Sequence, residues 1–132
     1  MLYSPWLPRL LFAGPMLAFG LLHFGPLEFS VPYVPAWLPG PAAFWVYLAG
    51  VGLLAFAISV FVGKLDRFAA ELLAVELLRF VLLSHLPAAL EGDLPRVIAV
   101  FRDVAMSGAA LMYAQAFARD TTRSLALNLR PA

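Results

Sequence analysis

The stretch FWVYLAGVGLLAFAISVFV (residues 44–62) runs for nineteen positions without a charged residue. At about 1.5 Å of rise per residue, a helix of this length extends roughly 28 Å, close to the hydrocarbon thickness of a bilayer of about 30 Å. Gly50 and Gly52 within it are small enough to let another helix approach closely. The stretch therefore predicts a transmembrane helix that packs against a neighbour.

The composition of the whole chain agrees with a membrane environment. Of the 132 residues, 63% are hydrophobic and 13% are charged, whereas soluble domains contain about 45–50% apolar and about 25% charged residues. Four spans of about 20 residues each, with their connections, use nearly the whole length and leave no room for a soluble catalytic domain. We therefore predict an all-α integral membrane four-helix bundle, formed by residues 1–132 as a single domain.

Three further apolar runs predict the other helices of this bundle, at residues 7–24, 68–86 and 96–117. The segment 25–43 is rich in prolines, which lack the N–H donor that a continuing helix needs. It is therefore predicted to be a loop. Because its aromatic side chains suit the membrane–water interface, we expect this loop to lie on the bundle as a lid.

The basic residues in the short connections predict the orientation. Arg96 falls on one side of the predicted bundle, and the other side carries Arg9, Lys64, Arg67, Arg119, Arg123 and Arg130. Since cytoplasmic loops carry the excess of Lys and Arg, both termini are predicted to be cytoplasmic and the proline-rich loop exoplasmic. The predicted location is a bacterial inner membrane.

Charge and residue usage exclude several function classes. The net charge is +1 and the basic residues are dispersed, which argues against a nucleic-acid partner. The chain has no cysteine, so disulfide exchange and thiolate-ligated metal or iron–sulfur chemistry carried by its own residues are excluded. No hydrolase, kinase or dinucleotide-binding motif occurs.

Charged residues inside the predicted spans need an explanation, since each costs about 2.5–3.5 kcal/mol on insertion scales. Counted from the outer helix ends, Arg79 and Asp103 both lie about 10 Å deep. This matching depth predicts an Arg79–Asp103 ion pair, in which Glu76 shares Arg79 through its i,i+3 spacing. The pair either marks function or only fastens two helices. Glu71, near the cytoplasmic end, is expected to be an interfacial charge.

The outer half of the bundle is the candidate binding site. A pocket roofed by the proline-rich loop is predicted to be lined by His23, Trp37, Arg79, His85, Arg102 and Asp103. Aromatic walls with a few polar groups suit an amphipathic molecule such as a quinone head group. The same aromatic loop equally suits the docking of a partner subunit.

Two histidines at outer helix ends also raise the question of haem or another metal. His23 and His85 have no further ligands at motif spacing, so capping or loop-anchoring roles are favoured over bis-histidine haem. No metal site is predicted, and the only cofactor proposed from the sequence is a quinone.

Four short motifs resemble those of the DoxX-like family of small four-helix membrane proteins. They are GLLHF (residues 20–24), VPAWLP (34–39), HLP (85–87) and SGAAL (107–111), and the resemblance covers residues 9–118. The family is named for a subunit of a thiosulfate:quinone oxidoreductase, and some members are linked to membrane redox complexes. By this resemblance His23, Trp37 and His85 are functional positions.

Three functions remain open. The first is an accessory subunit, without catalysis of its own, of a quinone-linked redox system. The second is an enzyme that passes electrons to quinone, which requires a redox centre bound to this chain. The third is a structural or assembly subunit that docks to a larger membrane complex. Expected partners are membrane lipids together with other membrane subunits or further copies of the chain.

Overall fold

The structure, a computed structural model, describes Ser4 and residues 6–125, and these residues form helices joined by turns and loops, with no β-strand among them. The all-α prediction is confirmed. The long helices are α1 (Trp6–Leu22), α2 (Ala42–Val62), α3 (Asp66–Leu90) and α4 (Leu94–Ala116).

Three of these helices, α2, α3 and α4, are long and apolar enough to cross a membrane. Helix α1 has 17 residues, and the chain bends by 114° after it into two short 3₁₀ turns, Leu27–Phe29 and Val31–Tyr33. Large apolar side chains on the helices remain exposed, as a hydrocarbon environment permits; Leu11, Ile58, Leu82, Phe101 and Met112 are examples.

The helices pack as neighbours along the chain: α1 on α2, α2 on α3, and α3 on α4. The central contacts are aromatic, with the rings of Phe12 and Phe56 5.2 Å apart edge to face and Tyr113 packed against both. Gly50 is needed where α1 meets α2, because a Cβ atom there would lie 3.1 Å from the carbonyl oxygen of Gly20.

Helix α3 differs from its predicted range of 68–86, since it begins at Asp66 and continues to Leu90. The predicted range ends just before Pro87, because proline lacks the N–H that bonds to the preceding turn. A π turn at Val81–His85 comes just before this proline, and the amide of Leu86 bonds to the carbonyl of Val81, five residues back. The wider turn lets the helix pass the proline without a break.

The chain reverses between α2 and α3 in a short turn. Gly63 ends α2 with a φ of 74°, and its amide donates to the carbonyl of Ser59. We call the end of the molecule where α1 and α3 begin and α2 and α4 end the terminal end, and the opposite end the loop end. Residues 118–125 follow α4 at the terminal end.

Candidate functional site

A cavity of about 740 Å³ lies towards the loop end, a volume in the range of small-molecule sites. All four long helices contribute to its walls. The apolar part of the lining includes Met16, Val46, Leu53, Leu77, Ala99 and Met106. The polar part includes His23, Arg79, Ser84, His85, Arg102 and Asp103. The lining is therefore amphipathic.

The proline-rich segment also lines this cavity, and Arg96 anchors it there. The Arg96 guanidinium lies 4.0 Å from the centre of the Tyr33 ring, and its Nη2 donates to the carbonyl of Pro32 at 2.9 Å. From α3, the hydroxyl of Ser84 donates to the carbonyl of Tyr33, and the His85 ring packs edge to face on the same tyrosine at 5.9 Å. These contacts hold the loop over the cavity.

Asp103 is the centre of a buried polar cluster between α3 and α4. Its carboxylate is almost fully buried and accepts from Nε of Arg102 at 2.7 Å. Nε2 of His85 lies 3.3 Å from the second oxygen of the carboxylate. On the other side of the imidazole, Nη1 of Arg96 lies 3.4 Å from Nδ1.

These partners fix the tautomer of His85. A guanidinium only donates and a carboxylate only accepts, so Nδ1 accepts from Arg96 while the proton sits on Nε2 and points at Asp103. Both ring nitrogens are therefore engaged by protein side chains. His85 orients α4 and the loop through these bonds and offers no free nitrogen for an axial haem bond, so a bis-histidine haem does not fit this arrangement.

The predicted Arg79–Asp103 ion pair is wrong. Arg79 instead lies 3.8 Å from Glu76 and 5.5 Å from the centre of the Phe80 ring, while Asp103 is taken by His85 and Arg102. Depth along the helices did not decide the pairing. His85 lies on the π turn of α3, which directs it towards α4.

Glu76 does pair with Arg79, as its i,i+3 spacing predicted, but Asp103 takes no part in this pair and Glu76 does not line the cavity. Its carboxylate packs against α2, where a Cβ on Gly52 would lie 2.4 Å from Oε2. Gly52 thus provides the space for an acidic side chain rather than for a helix backbone.

His23 lies at the end of α1 and lines the cavity. Its Nδ1 is 2.7 Å from the carbonyl of Phe19. Because a carbonyl only accepts, Nδ1 carries a proton, and in the neutral imidazole Nε2 then carries a lone pair. Within the described part of the chain no protein group bonds to this Nε2.

Trp37, which the sequence suggested as a wall of the pocket, does not line the cavity and is 66% exposed. Trp45 of α2 lines it instead, and its indole donates to the carbonyl of Pro39 at 2.8 Å. Both tryptophans belong to the same aromatic-rich region, so composition alone did not separate them.

A second polar network lies at the terminal end, and the sequence did not reveal it. Asp66 is 0% exposed and accepts from the Tyr113 hydroxyl at 2.8 Å and from the amides of Arg119 and Asp120 at 2.9 and 2.8 Å. In return, the amide of Leu65 donates to Asp120 at 2.8 Å. The segment after α4 is thereby fixed to the start of α3.

Glu71 belongs to this network and is buried. It accepts from Arg67 at 3.3 Å, from the Ser124 hydroxyl at 2.7 Å and from the amide of Leu125. The polar segment 118–125 covers this carboxylate.

Among Ser4 and residues 6–125, no group of three or more acidic or histidine side chains is placed to hold a metal ion. The side chains that line the cavity offer hydrogen bonds and apolar contact to a ligand. The half-exposed guanidinium groups of Arg79 and Arg102 supply donors, and His23 supplies an acceptor.

A sequence model of one family, described as a domain of unknown function (DUF8561), matches residues 12–117. The chain belongs to the DUF8561 family. The matched range contains every residue that lines the cavity and the whole Asp103 cluster. No curated protein and no solved structure matches the chain. The resemblance to the DoxX-like family stays a prediction.

Proposed function

We propose that this protein crosses the membrane four times and binds a lipophilic molecule with a polar head group, such as a quinone, in the cavity at the loop end. In this proposal it is an accessory subunit of a quinone-linked redox system in a bacterial inner membrane. The observation that carries the binding proposal is the cavity itself, in which apolar helix faces surround a small set of hydrogen-bonding groups.

The cavity provides for both parts of such a ligand. Arg79 and Arg102 are donors for head-group oxygens, and the apolar faces of α1, α2 and α4 accommodate a hydrocarbon tail. Arg102 keeps its geometry through the 2.7 Å bond to Asp103, so one donor group is positioned before the ligand arrives. The proline-rich loop limits the access of water to the head group.

A fourth span is supported by the position of α1. Its 17 residues are within the range of a spanning helix and pack along α2, which is one of the three long apolar helices. Four spans place Ser4 and Thr121 on the same side, and cytoplasmic termini follow from the distribution of basic residues.

Single-cysteine labelling tests this topology, because the chain has no native cysteine. A membrane-impermeant maleimide applied to intact cells should label Glu91→Cys, whereas Ser4→Cys and Thr121→Cys should react only after permeabilisation. Labelling of Ser4→Cys from outside would show that α1 does not cross the membrane.

Ligand binding is tested with the fluorescence of Trp45, which lines the cavity. In the full chain with Trp6→Phe and Trp37→Phe, decylubiquinone should quench this one remaining tryptophan saturably. Ala99→Phe fills the cavity and should abolish saturation, and Ala105→Phe, on the exposed side of the same helix, is the matched control. Equal quenching in both variants would refute binding in the cavity.

The subunit role is tested on protein purified in mild detergent from its native membrane. Bound quinone and copurifying oxidoreductase subunits in fixed ratio, identified by mass spectrometry, are the expected result. Stoichiometric partner subunits without quinone, together with no quenching of Trp45, would favour the structural or assembly role.

A further inference from the structure

His23 offers only one of its two ring nitrogens to a ligand in the cavity. Its Nδ1 proton is committed to the carbonyl of Phe19 at 2.7 Å, within its own helix. In the neutral imidazole the remaining nitrogen, Nε2, is therefore an acceptor without a proton. A ligand group that bonds to it has to bring a donor.

The charged side chains of the lining, unlike His23, offer a ligand donors rather than acceptors. Arg79 and Arg102 only donate, and both oxygens of Asp103 already accept from Arg102 and His85. The complementary head group therefore has an oxygen that accepts from a guanidinium and a hydroxyl that donates to His23.

A quinone satisfies only half of this pattern. Its two carbonyl oxygens accept from arginine, but a carbonyl beside Nε2 of His23 sets two lone pairs against each other. Moving the ring proton to Nε2 relieves this contact and breaks the bond to Phe19, leaving Nδ1 and the carbonyl as two facing acceptors 2.7 Å apart. Either arrangement loses one hydrogen bond.

We propose that the cavity binds the aromatic hydroxyl form of its ligand, a hydroquinone or another phenol with an apolar tail, and that Nε2 of His23 accepts the proton of that hydroxyl. This inference rests on the proposed function, since it names the form of the ligand bound in the same cavity. One net hydrogen bond predicts a preference of about tenfold for hydroquinone over quinone.

The test is an anaerobic titration of the purified full chain, again with Trp45 as the reporter. Decylubiquinol is expected to bind about tenfold more tightly than decylubiquinone. His23→Leu should bring the ratio of the two dissociation constants close to one, mainly by weakening the quinol. His23→Asn retains an amide donor and a carbonyl acceptor and should keep part of the preference. Size-exclusion profiles check that both variants fold.

A third titration with 4-decylphenol separates two sources of the same hydroxyl. The affinity for 4-decylphenol should fall by a similar factor in His23→Leu, because this phenol has the hydroxyl that donates to His23 but has no quinone redox chemistry. A His23→Leu variant that leaves both the quinol preference and phenol binding unchanged overturns the inference, as does equal binding of quinol and quinone to the unmodified chain. Those two results leave the proposed function standing. Absence of binding by all three probes refutes the proposed function as well.

Discussion

Replacing Asp66 by alanine should release the segment after α4 from the rest of the molecule. The carboxylate accepts three hydrogen bonds, from the hydroxyl of Tyr113 and from two backbone amides. Tyr113 is buried, so losing its partner costs about 1–3 kcal/mol. The amides of Arg119 and Asp120 lie beyond the helix and regain water, so each contributes about 0.5–1.5 kcal/mol. The expected loss in free energy of unfolding is about 2–6 kcal/mol.

Unfolding of the full chain in mixed micelles, followed by circular dichroism during titration with sodium dodecyl sulfate, measures this loss. Trypsin gives an independent readout, because cleavage after Arg119 and Arg123 should become faster once the segment detaches. Asp66→Asn preserves the side-chain volume and should still lose at least about 1 kcal/mol, since its NH₂ group cannot accept a bond. Glu91→Gln, an exposed acid at the loop end, is the control. Wild-type stability and cleavage in Asp66→Ala would refute the reasoning.

Three other perturbations test separate parts of the structure. Gly50→Ala should lower the free energy of unfolding by about 1–3 kcal/mol, because the added methyl group overpacks against α1. Gly108 has open space around it, so Gly108→Ala should leave the free energy of unfolding unchanged or raise it by about 0.5–1 kcal/mol. Equal effects of the two variants in the same micelle titration would contradict the close packing of α1 on α2. Asp103→Leu should cost about 1–3 kcal/mol, because it leaves the buried imidazole of His85 without its acceptor. An unchanged unfolding curve would show that the cluster does not stabilise the fold. Hydrogen bonds from the hydroxyl and amide of Thr122 contribute to lowering the pKa of Asp120 from 3.8 to about 2. Because the folded-state pKa lies below the unfolded value, the contribution of Asp120 to stability is present above about pH 4 and is lost as the pH falls through about 2. Thr122→Val should raise this pKa towards 3.8 in a carboxyl NMR titration, and an unchanged titration would rule out the Thr122 hydroxyl as a cause.

The positions of the helices were predictable because they depend on hydrophobicity summed over many residues. The uncharged run 44–62 lies within α2, and the low charge content already excluded an ordinary soluble domain. The end of α3 was not predictable from its own residues. In a regular helix a proline at position 87 would end the helix. The π turn before Pro87 instead shifts the backbone hydrogen bonding, so that the amide of Leu86 bonds to the carbonyl of Val81.

The candidate site was predicted in composition and only partly in geometry. His23, Arg79, His85, Arg102 and Asp103 all line the cavity, because polar residues in apolar helices turn towards each other. Their pairing depends on rotation about each helix axis, which the rise per residue does not give. For this reason Asp103 was assigned to Arg79 rather than to His85.

The terminal network was missed because several of its hydrogen bonds come from backbone amides, which leave no mark in the sequence. Asp66 and Glu71 each bond to amides in the segment after α4, and any residue type supplies such a group. An acidic residue at the start of a helix is ordinarily a solvated charge that favours the helix dipole. Only the path of the chain after α4 shows that both carboxylates are covered.

The same network links the burial of α3 to the order in which the chain is synthesised. The amides that complete Asp66 and Glu71 follow them by 53 or 54 positions in the chain, so they leave the ribosome after α3 and α4 have both been made. Until then, two acidic side chains destined for burial depend on water or on other temporary partners. These bonds therefore form only after the segment 118–125 has been made, and a chain stopped at residue 118 would contain every long helix and still lack the amides that bond to Asp66 and Glu71.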